Sequence, residues 1–338
     1  MGNTLKILAG DVGATKTRLA LYGLESGRLR LTAEETFSSS AYPSLEAILE
    51  EFLRRYPASL CSGCLGVAGP VSEGRAITPN VGWERGVEAR ALERVLPNVP
   101  MTLLNDLEAT AYGLRTLAPE QFLILNPGRQ RPQANAALIA AGTGLGEAIL
   151  FWDGREHCPS ASEGSHCDFA PRTALEVDFF RYASAKLGRI SYDRVVCGKG
   201  LHLLYCFLRD TGRDEEPAWL ADRLKADDPA AVISEAALTR KVPLCQKALD
   251  MFAGIYGAEA GNLALKVLAR AGVYVGGGMA PKILPKLIDG DFVRAFTDKG
   301  RLSALMAEIP VHVVLDSKTA VYGAAHIAAR QAGWPVNG

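Results

Sequence analysis

Asp11, Gly13, Thr15, Lys16 and Thr17 fall within one short stretch between two largely apolar runs, Leu5 to Ala9 and Leu19 to Tyr22. Strand, tight turn, strand is the natural reading. Gly13 lets backbone N–H groups come close to a bound phosphate. Thr15, Lys16 and Thr17 add hydroxyl donors and a positive charge. Asp11 is an odd neighbour for phosphate unless Mg²⁺ stands between them. The spacing is not that of a P-loop, which has Gly-x-x-x-x-Gly-Lys-Ser/Thr followed by a helix, nor of a Gly-x-Gly-x-x-Gly dinucleotide turn.

Four further clusters could do chemistry. Asn105-Asp106 ends a short apolar run, Met101 to Leu104, at the kind of strand end where open α/β sheets bind ligands. Phosphoryl transfer to an alcohol needs a carboxylate to accept the hydroxyl proton, and Asp106 suits that role. Asn105 can both donate to and accept from a sugar hydroxyl. The plainer reading is that Asp106 caps the following helix. Glu163-Gly164-Ser165-His166 puts a carboxylate and an imidazole three apart in a glycine-containing turn, a pairing suited to vicinal hydroxyls. His157, Cys158, His166 and Cys167 lie near one another, but their spacing matches no zinc arrangement. Gly142-Thr143-Gly144-Leu145-Gly146 offers a backbone nest and a hydroxyl for phosphate. Gly276-Gly277-Gly278 would let a flat nucleotide pack on the main chain. Each glycine turn alone reads as an ordinary turn. Three of them at three strand ends point to phosphate and nucleotide.

The elements that must position these residues follow from periodicity. Leu5–Ala9, Leu19–Tyr22 and Arg30–Phe37 read as a strand meander. Tyr42–Tyr56 carries helical spacing through Leu45, Ile48, Leu49, Phe52 and Leu53. Cys64–Ala68 and Met101–Leu104 read as buried strands, with a helix from Leu107 to Leu117. A second copy of the theme starts near Glu120, with strands at Phe122–Leu125, Ala136–Ala141 and Glu147–Trp152. Gly154–Ala161 reads as a loop. Helical patterns dominate from Leu175 to Ala271, and Arg209–Pro229 reads as a surface helix–loop insertion. Gly272–Val275 is a strand, with a helix opening near Pro281. Val311–Leu315 is a last strand, and Thr319–Ala332 is an Ala-rich helix expected to fold back on the N-terminal part.

Bulk properties narrow the class. The chain has 338 residues, room for about two domains. It is 48% hydrophobic and 22% charged, with no net charge, so nothing favours nucleic acid or an anionic membrane as partner. No apolar run approaches the ~20 residues that span a bilayer. Its first residues carry neither a signal-peptide core nor a myristoylation motif, so a cytoplasmic location is expected. The seven cysteines are odd in number and irregular in spacing, which predicts reduced thiols. Cys61 and Cys64 form a single C-x-x-C with no second pair, so neither zinc nor a disulfide is expected.

Taken together, these segments resemble the bacterial glucokinase family in its non-ROK branch, within the sugar kinase, Hsp70 and actin superfamily. The likeness covers nearly the whole chain. Leu8–Leu21 resembles the first phosphate hairpin. Val67–Val71 and Thr78–Trp83 resemble the sugar-side loops, and Leu103–Ala109 the segment with the catalytic aspartate. Ala141–Gly146 resembles the second phosphate loop. Ser162–Pro171 carries the Glu-Gly-x-His-x-Asp-Phe-Ala-Pro signature, and Val275–Lys282 resembles the adenosine loop. The ROK branch is disfavoured because its Cys-rich zinc motif is absent.

The resemblance implies a two-domain α/β fold of the actin-like ATPase (ribonuclease H-like) type with a cleft between domains. Residues 1–116 plus 317–338 would form the small domain, and 117–316 the large one. It implies ATP-dependent phosphorylation of D-glucose at the 6-hydroxyl, with Asp106 as base and Asn80, Asn105, Asp106, Glu163, His166 and Asp193 on the sugar. Asp193 stands where the family usually has Glu. Asp11, Gly13, Ala14, Thr15, Lys16, Gly142, Thr143, Gly144, Gly276, Gly277 and Gly278 would serve ATP, with Mg²⁺ reached by Asp11 through water. Ala14 replaces a common Gly, which implies negative φ there. A homodimer is implied by likeness alone, and glucose would draw the domains together. The rival readings are a kinase of fructose, mannose or an amino sugar, a non-catalytic sugar-sensing regulator, and an Hsp70-like ATPase module. Polyphosphate and ADP stay open as alternative donors.

Overall fold

Small and branched apolar residues alternate along Ile7-Leu8-Ala9 and Leu19-Ala20-Leu21, and all six are buried. Strands with that pattern need cover on both faces. In the computed structural model, which describes residues 5–78, 82–83 and 86–335, they sit at the centre of a five-stranded sheet. The chain divides into two units, Met1–Pro119 with Asp316–Gly338, and Glu120–Leu315.

In the first unit, β1 (Lys6–Val12), β2 (Lys16–Glu25) and β3 (Arg28–Ser38) form an antiparallel meander. Helix α1 (Leu45–Arg55) follows and is capped by Ser44, whose hydroxyl accepts the Ala47 N–H. Its face of Leu45, Ile48, Leu49 and Phe52 packs under the sheet beside Phe37 and Leu65. β4 (Leu60–Val67) then pairs parallel with β1. A small three-stranded sheet, β5 (Val71–Ser72), β6 (Arg75–Ala76) and β7 (Val87–Glu88), precedes α2 (Ala89–Val95). β8 (Met101–Asn105) runs parallel to β4 and leads straight into α3 (Asp106–Gly113). The C-terminal helix Thr319–Gln331 covers the other sheet face. It meets α3 through Gly113 and Gly323, where an added Cβ would overlap the carbonyls of Thr319 and Ala109 respectively. That close approach fixes the direction of α3 and so the position of Asp106.

The second unit repeats the plan. Its sheet order is β12-β11-β10-β13-β14-β9, against β3-β2-β1-β4-β8 in the first. The strands are β9 (Phe122–Asn126), β10 (Ala136–Ala141), β11 (Leu145–Trp152), β12 (His157–Ser162), β13 (Gly272–Gly276) and β14 (Val311–Val314). Between β12 and β13 lie α4 (Ala174–Leu187), α5 (Tyr192–Val195), α6 (Gly198–Asp210), α7 (Ala218–Ala226), α8 (Pro229–Leu238) and α9 (Pro243–Val267). After β13 come α10 (Leu284–Ile288), α11 (Asp291–Thr297) and α12 (Ser303–Ala307). Helix α9, with Phe252, Tyr256, Ala260 and Leu263 buried, anchors the core.

Four sequence expectations change. His157–Ser162 is a strand, not a loop: it pairs antiparallel with β11 from Trp152↔His157 to Glu147↔Ser162, so edge pairing overrides its lack of apolar alternation. β9 does not belong to the second meander, because it pairs with β14 at the opposite edge. The helix after β13 begins at Leu284 rather than near Pro281, behind a run of turns. The helix after β8 ends at Gly113, and Leu114–Thr116 is a 3₁₀ turn. The expected sugar-side residue Asn80 lies outside the described residues, with Pro79 and Val81. Cys61 and Cys64 both lie in β4, where Cys61 Sγ donates to the Lys6 carbonyl and burial pushes the Cys64 thiol up.

Candidate active site

The first hairpin turn is held at its base by Gly13 N–H donating to Lys16 O at 2.9 Å. Ser39 braces it from outside: its hydroxyl donates to Gly13 O at 2.8 Å and its N–H to Thr15 O at 3.0 Å. Thr15 and Lys16 are exposed at the tip, and Gly13 and Ala14 are half-buried. Ala14 is not among the residues with positive φ, in line with its side chain. Asp11 stands one residue back on β1, opposite Arg18 of β2. Burial pushes its carboxyl up to about 6, and the Arg18 guanidinium pulls the other way. Arg18 is itself shared with Glu34, whose Oε1 lies 3.4 Å from Nε.

At the end of β8 the helix cap is Asn105, not Asp106. Asn105 Oδ1 accepts the N–H of Leu107 at 2.9 Å and of Glu108 at 3.3 Å, while Nδ2 donates to Gly69 O at 3.0 Å. Asp106 is the first helical residue, and its Oδ1 also accepts the Leu107 N–H at 2.9 Å. The polar atoms of Asn105 are therefore largely committed to building the corner that presents Asp106.

In the second unit, the hairpin after β10 closes through Gly142 N–H donating to Gly144 O at 2.8 Å. Gly198 N–H, at the start of α6, donates to Gly142 O at 3.0 Å. Asp193 of α5 accepts the Leu145 N–H on Oδ1 at 2.8 Å. The structure thus joins Asp193 directly to the second phosphate loop, a link that sequence reasoning did not foresee. Thr143 is exposed at the tip.

Glu163 caps a 3₁₀ turn, Gly164–His166, directly after β12, and His166 is its last residue. His166 Nε2 lies 3.7 Å from Glu163 Oε2, and 57% and 62% of the two side chains are exposed. Ser162 Oγ accepts the Gly164 N–H at 2.9 Å. Arg189, absent from the sequence-derived site, donates to His166 O and to Asp168 Oδ1, both at 2.7 Å. Its only sequence signal is its place after Gly188, the C-cap of α4 with φ 73°.

After β13, Gly276 is buried in the strand and Gly277 and Gly278 are exposed. Gly277 is required by the fold: its φ is +83° and a Cβ would strike the Ala141 carbonyl. Gly278 has open space where a Cβ would stand. Beneath this turn the fully buried Tyr256 hydroxyl accepts the Ala141 N–H at 3.2 Å and lies 3.3 Å from Ile139 O and 3.4 Å from Gly276 O. Tyr256 thereby ties the second hairpin to the β13 turn.

The glucokinase family profile matches residues 8–331. The glucokinase of Nostoc sp. (strain PCC 7120) is 39% identical over 340 residues, covering 96% of this chain and 99% of the relative. That of Synechocystis sp. (strain PCC 6803) is 39% identical over 351 residues, covering 96% and 98%. Among solved structures, glucokinase from an Antarctic psychrotroph superposes with a TM-score of 0.81 at 27% identity, over 96% of this chain and 99% of that one.

Proposed function

The chain belongs to the glucokinase family and phosphorylates glucose, and from that premise we propose how its residues share the work. ATP is the donor and the 6-hydroxyl of D-glucose the acceptor. Asp106 accepts the hydroxyl proton as the O6–phosphorus bond forms. The bond from the γ-phosphorus to the β-phosphate oxygen breaks, and ADP leaves. Gly13, Ala14, Thr15 and Lys16 in one unit, and Gly142, Thr143 and Gly144 in the other, serve the phosphates through backbone N–H groups, hydroxyls and one ammonium. Gly276, Gly277 and Gly278 serve the nucleoside. Asn105, Glu163, His166 and Asp193 serve the sugar, together with Asn80.

The observation that carries the sugar assignment is the Glu163–His166 pair. A carboxylate and an imidazole 3.7 Å apart, each more than half exposed at the end of an edge strand, have no packing role to explain them. An Hsp70-like ATPase would not need that pair. Mg²⁺ suits Asp11, an oxygen donor whose burial disfavours its own charge and which a cation would relieve. When bound, Mg²⁺ would neutralise phosphate charge during transfer. Family likeness supports a homodimer with D-glucose and ATP as its small-molecule partners, and a cytoplasmic location. Among the described residues no helix is long and apolar enough to cross a membrane.

The test is a coupled assay of ADP release with and without glucose, repeated with fructose, mannose and an amino sugar, and with polyphosphate or ADP in place of ATP. ADP release should depend on glucose. Release that ignores sugar would restore the ATPase reading, and glucose binding without any release would restore the sensor.

A further inference from the structure

The Glu163–His166 turn stands on a buried acid that the chemistry above does not use. Glu147 of β11 faces Ser162 in the β11–β12 ladder, one residue before Glu163. Its residue exposure is 1%. Its Oε2 fills the space that a side chain at Gly164 would need, so the acid and the turn are in direct contact there. Its Oε1 is buried without a hydrogen-bond partner. On α9 lies a second acid, the fully buried Glu259. Glu259 Oε2 accepts from Asn262 Nδ2 at 2.8 Å, and the same amide lies 3.2 Å from the Tyr192 hydroxyl. Tyr192 precedes Asp193 in α5, and its N–H donates to Cys167 O at 3.2 Å. The acid pair therefore underlies both sugar-side segments of this unit.

Two buried carboxylates cannot both stay charged without strong compensation. Burial first, then the Glu259 carboxylate, push the Glu147 carboxyl up to about 8, and Lys266 opposes. The titratable groups around the pair are Glu259, Lys266 and Tyr256 from α9, Tyr192 from α5, and Lys299, whose Nζ donates to Asn262 Oδ1 at 2.7 Å. Lys266 Nζ lies 3.5 Å from Glu259 Oε1 and its side chain is about half exposed, so it offsets one charge incompletely. The β10 and β12 partners of Glu147 are Ile139 and Ser162.

We propose that Glu147 is a positioning residue for glucose: its buried carboxyl, packed against Gly164, sets where that residue lies and so where Glu163 and His166 point. The inference rests on the reading of Glu163–His166 as the sugar site. Ionisation of Glu147 sets its charge against the Glu259 carboxylate. Any resulting shift of Oε2 is felt at Gly164, the residue it packs against.

The experiment is steady-state kinetics in glucose and in ATP from pH 6 to 9 on the full chain, comparing wild type, Glu147→Gln, Glu147→Ala and Glu163→Gln. For wild type the glucose KM should rise roughly fivefold between pH 7 and 9, the scale of one misplaced hydrogen bond. The ATP KM should move far less. Glu147→Gln keeps the shape and stays neutral, so its glucose KM should match wild type at pH 7 and stay flat to pH 9. Glu147→Ala should raise the glucose KM at every pH. An alkaline rise retained in Glu147→Gln would overturn the proposal, and so would a wild-type glucose KM in Glu147→Ala. If the alanine variant does not fold, the pH profile of the glutamine variant decides alone. Glu163→Gln separates the two readings. If it leaves the glucose KM unchanged, the sugar site is misplaced and this proposal falls with it. If it raises the glucose KM while the Glu147 variants behave as wild type, only the proposal falls.

Discussion

Counted from its turn, the second cross-strand pair of the β1–β2 hairpin is Asp11 opposite Arg18, whereas in the β10–β11 hairpin it is Ala140 opposite Gly146. The two hairpins hold the same place in sheets of matching order. The first carries its charges within the strands, at the cost of burying a carboxylate. The second is neutral in that position: its own buried acid, Glu147, lies one pair further from the turn, opposite Ile139, and Asp193 of α5 reaches in to receive the Leu145 N–H. Its turn is also held by Gly198 of α6. A self-contained charged hairpin can meet a cation by itself. A turn braced by remote elements presents N–H donors whose geometry depends on those braces. The two sheets share one scaffold, and the proposed roles divide the work between them: acids that act on the transferring group in the first unit, and a supported binding surface in the second.

That division is broken most directly at Asp106. Asp106→Asn keeps size and removes the proton acceptor, and kcat should fall by ~10²–10⁴ with the glucose Kd changed far less. Rapid-quench or coupled kinetics beside equilibrium glucose titration gives both numbers. A near-normal kcat would take the acid chemistry away from the first unit.

The brace on the second hairpin predicts a smaller loss. Asp193→Ala removes the acceptor of the Leu145 N–H and should cost about 1–3 kcal/mol of stability, visible as a lower Tm, with a raised ATP KM from the lost brace and a raised glucose KM from the lost sugar contact. Asp193→Asn keeps an oxygen at that place and should restore most of the Tm. If Asp193→Ala leaves the Tm and the ATP KM alone and shifts only the glucose KM, Asp193 is purely a sugar contact and the second hairpin stands without its brace.

How far these features could be read from residue order varies with the kind of signal. The hairpins were legible because glycine turns separate apolar runs, and Ala136–Ala141 is the strand the structure contains. The third strand of the second meander is not legible, since His157-Cys158-Pro159-Ser160-Ala161-Ser162 has no apolar alternation and owes its extension to pairing with β11. The two-residue strands β5, β6 and β7 carry too few side chains for any period. An Asp just ahead of a helical pattern reads as its cap, but the cap of α3 is the preceding Asn105, because the β8 strand runs one residue further than its apolar run. The Asp193–Leu145 link is tertiary and had no local trace. Glu147 and Glu259 were missed for a similar reason: a single acid at the start of a strand or within a long helix reads as solvated, and only the fold shows both with no more than 1% exposed. Glu259 sits among Ala258, Ala260, Gly261 and Leu263, and that apolar company was the available hint.

The smallest effect sharpens the comparison between the units through their buried acids. Asp11 in the folded chain is raised from 3.8 to about 6 by burial, against the pull of Arg18. Below the unfolded value both states hold the proton, and the neutral carboxyl contributes its full stability. As pH rises through about 6 the folded state must ionise a buried group, and that stability is lost; above about 6 nothing further changes. Asn cannot titrate. The Tm of Asp11→Asn minus that of wild type should therefore open between pH 4 and 6 and then stay level, measured without divalent metal. Glu147 in the second unit is raised from 4.5 to about 8, so the gap for Glu147→Gln should keep widening from pH 4.5 to about 8. Any constant contribution from amide hydrogen bonding moves each curve up or down without changing its window. Added Mg²⁺ should shrink the Asp11 gap by stabilising the wild-type carboxylate and leave the Glu147 gap as it was. Two gaps with the same window, or gaps independent of pH, would mean that the buried acids of the two units do not differ in the way their surroundings require.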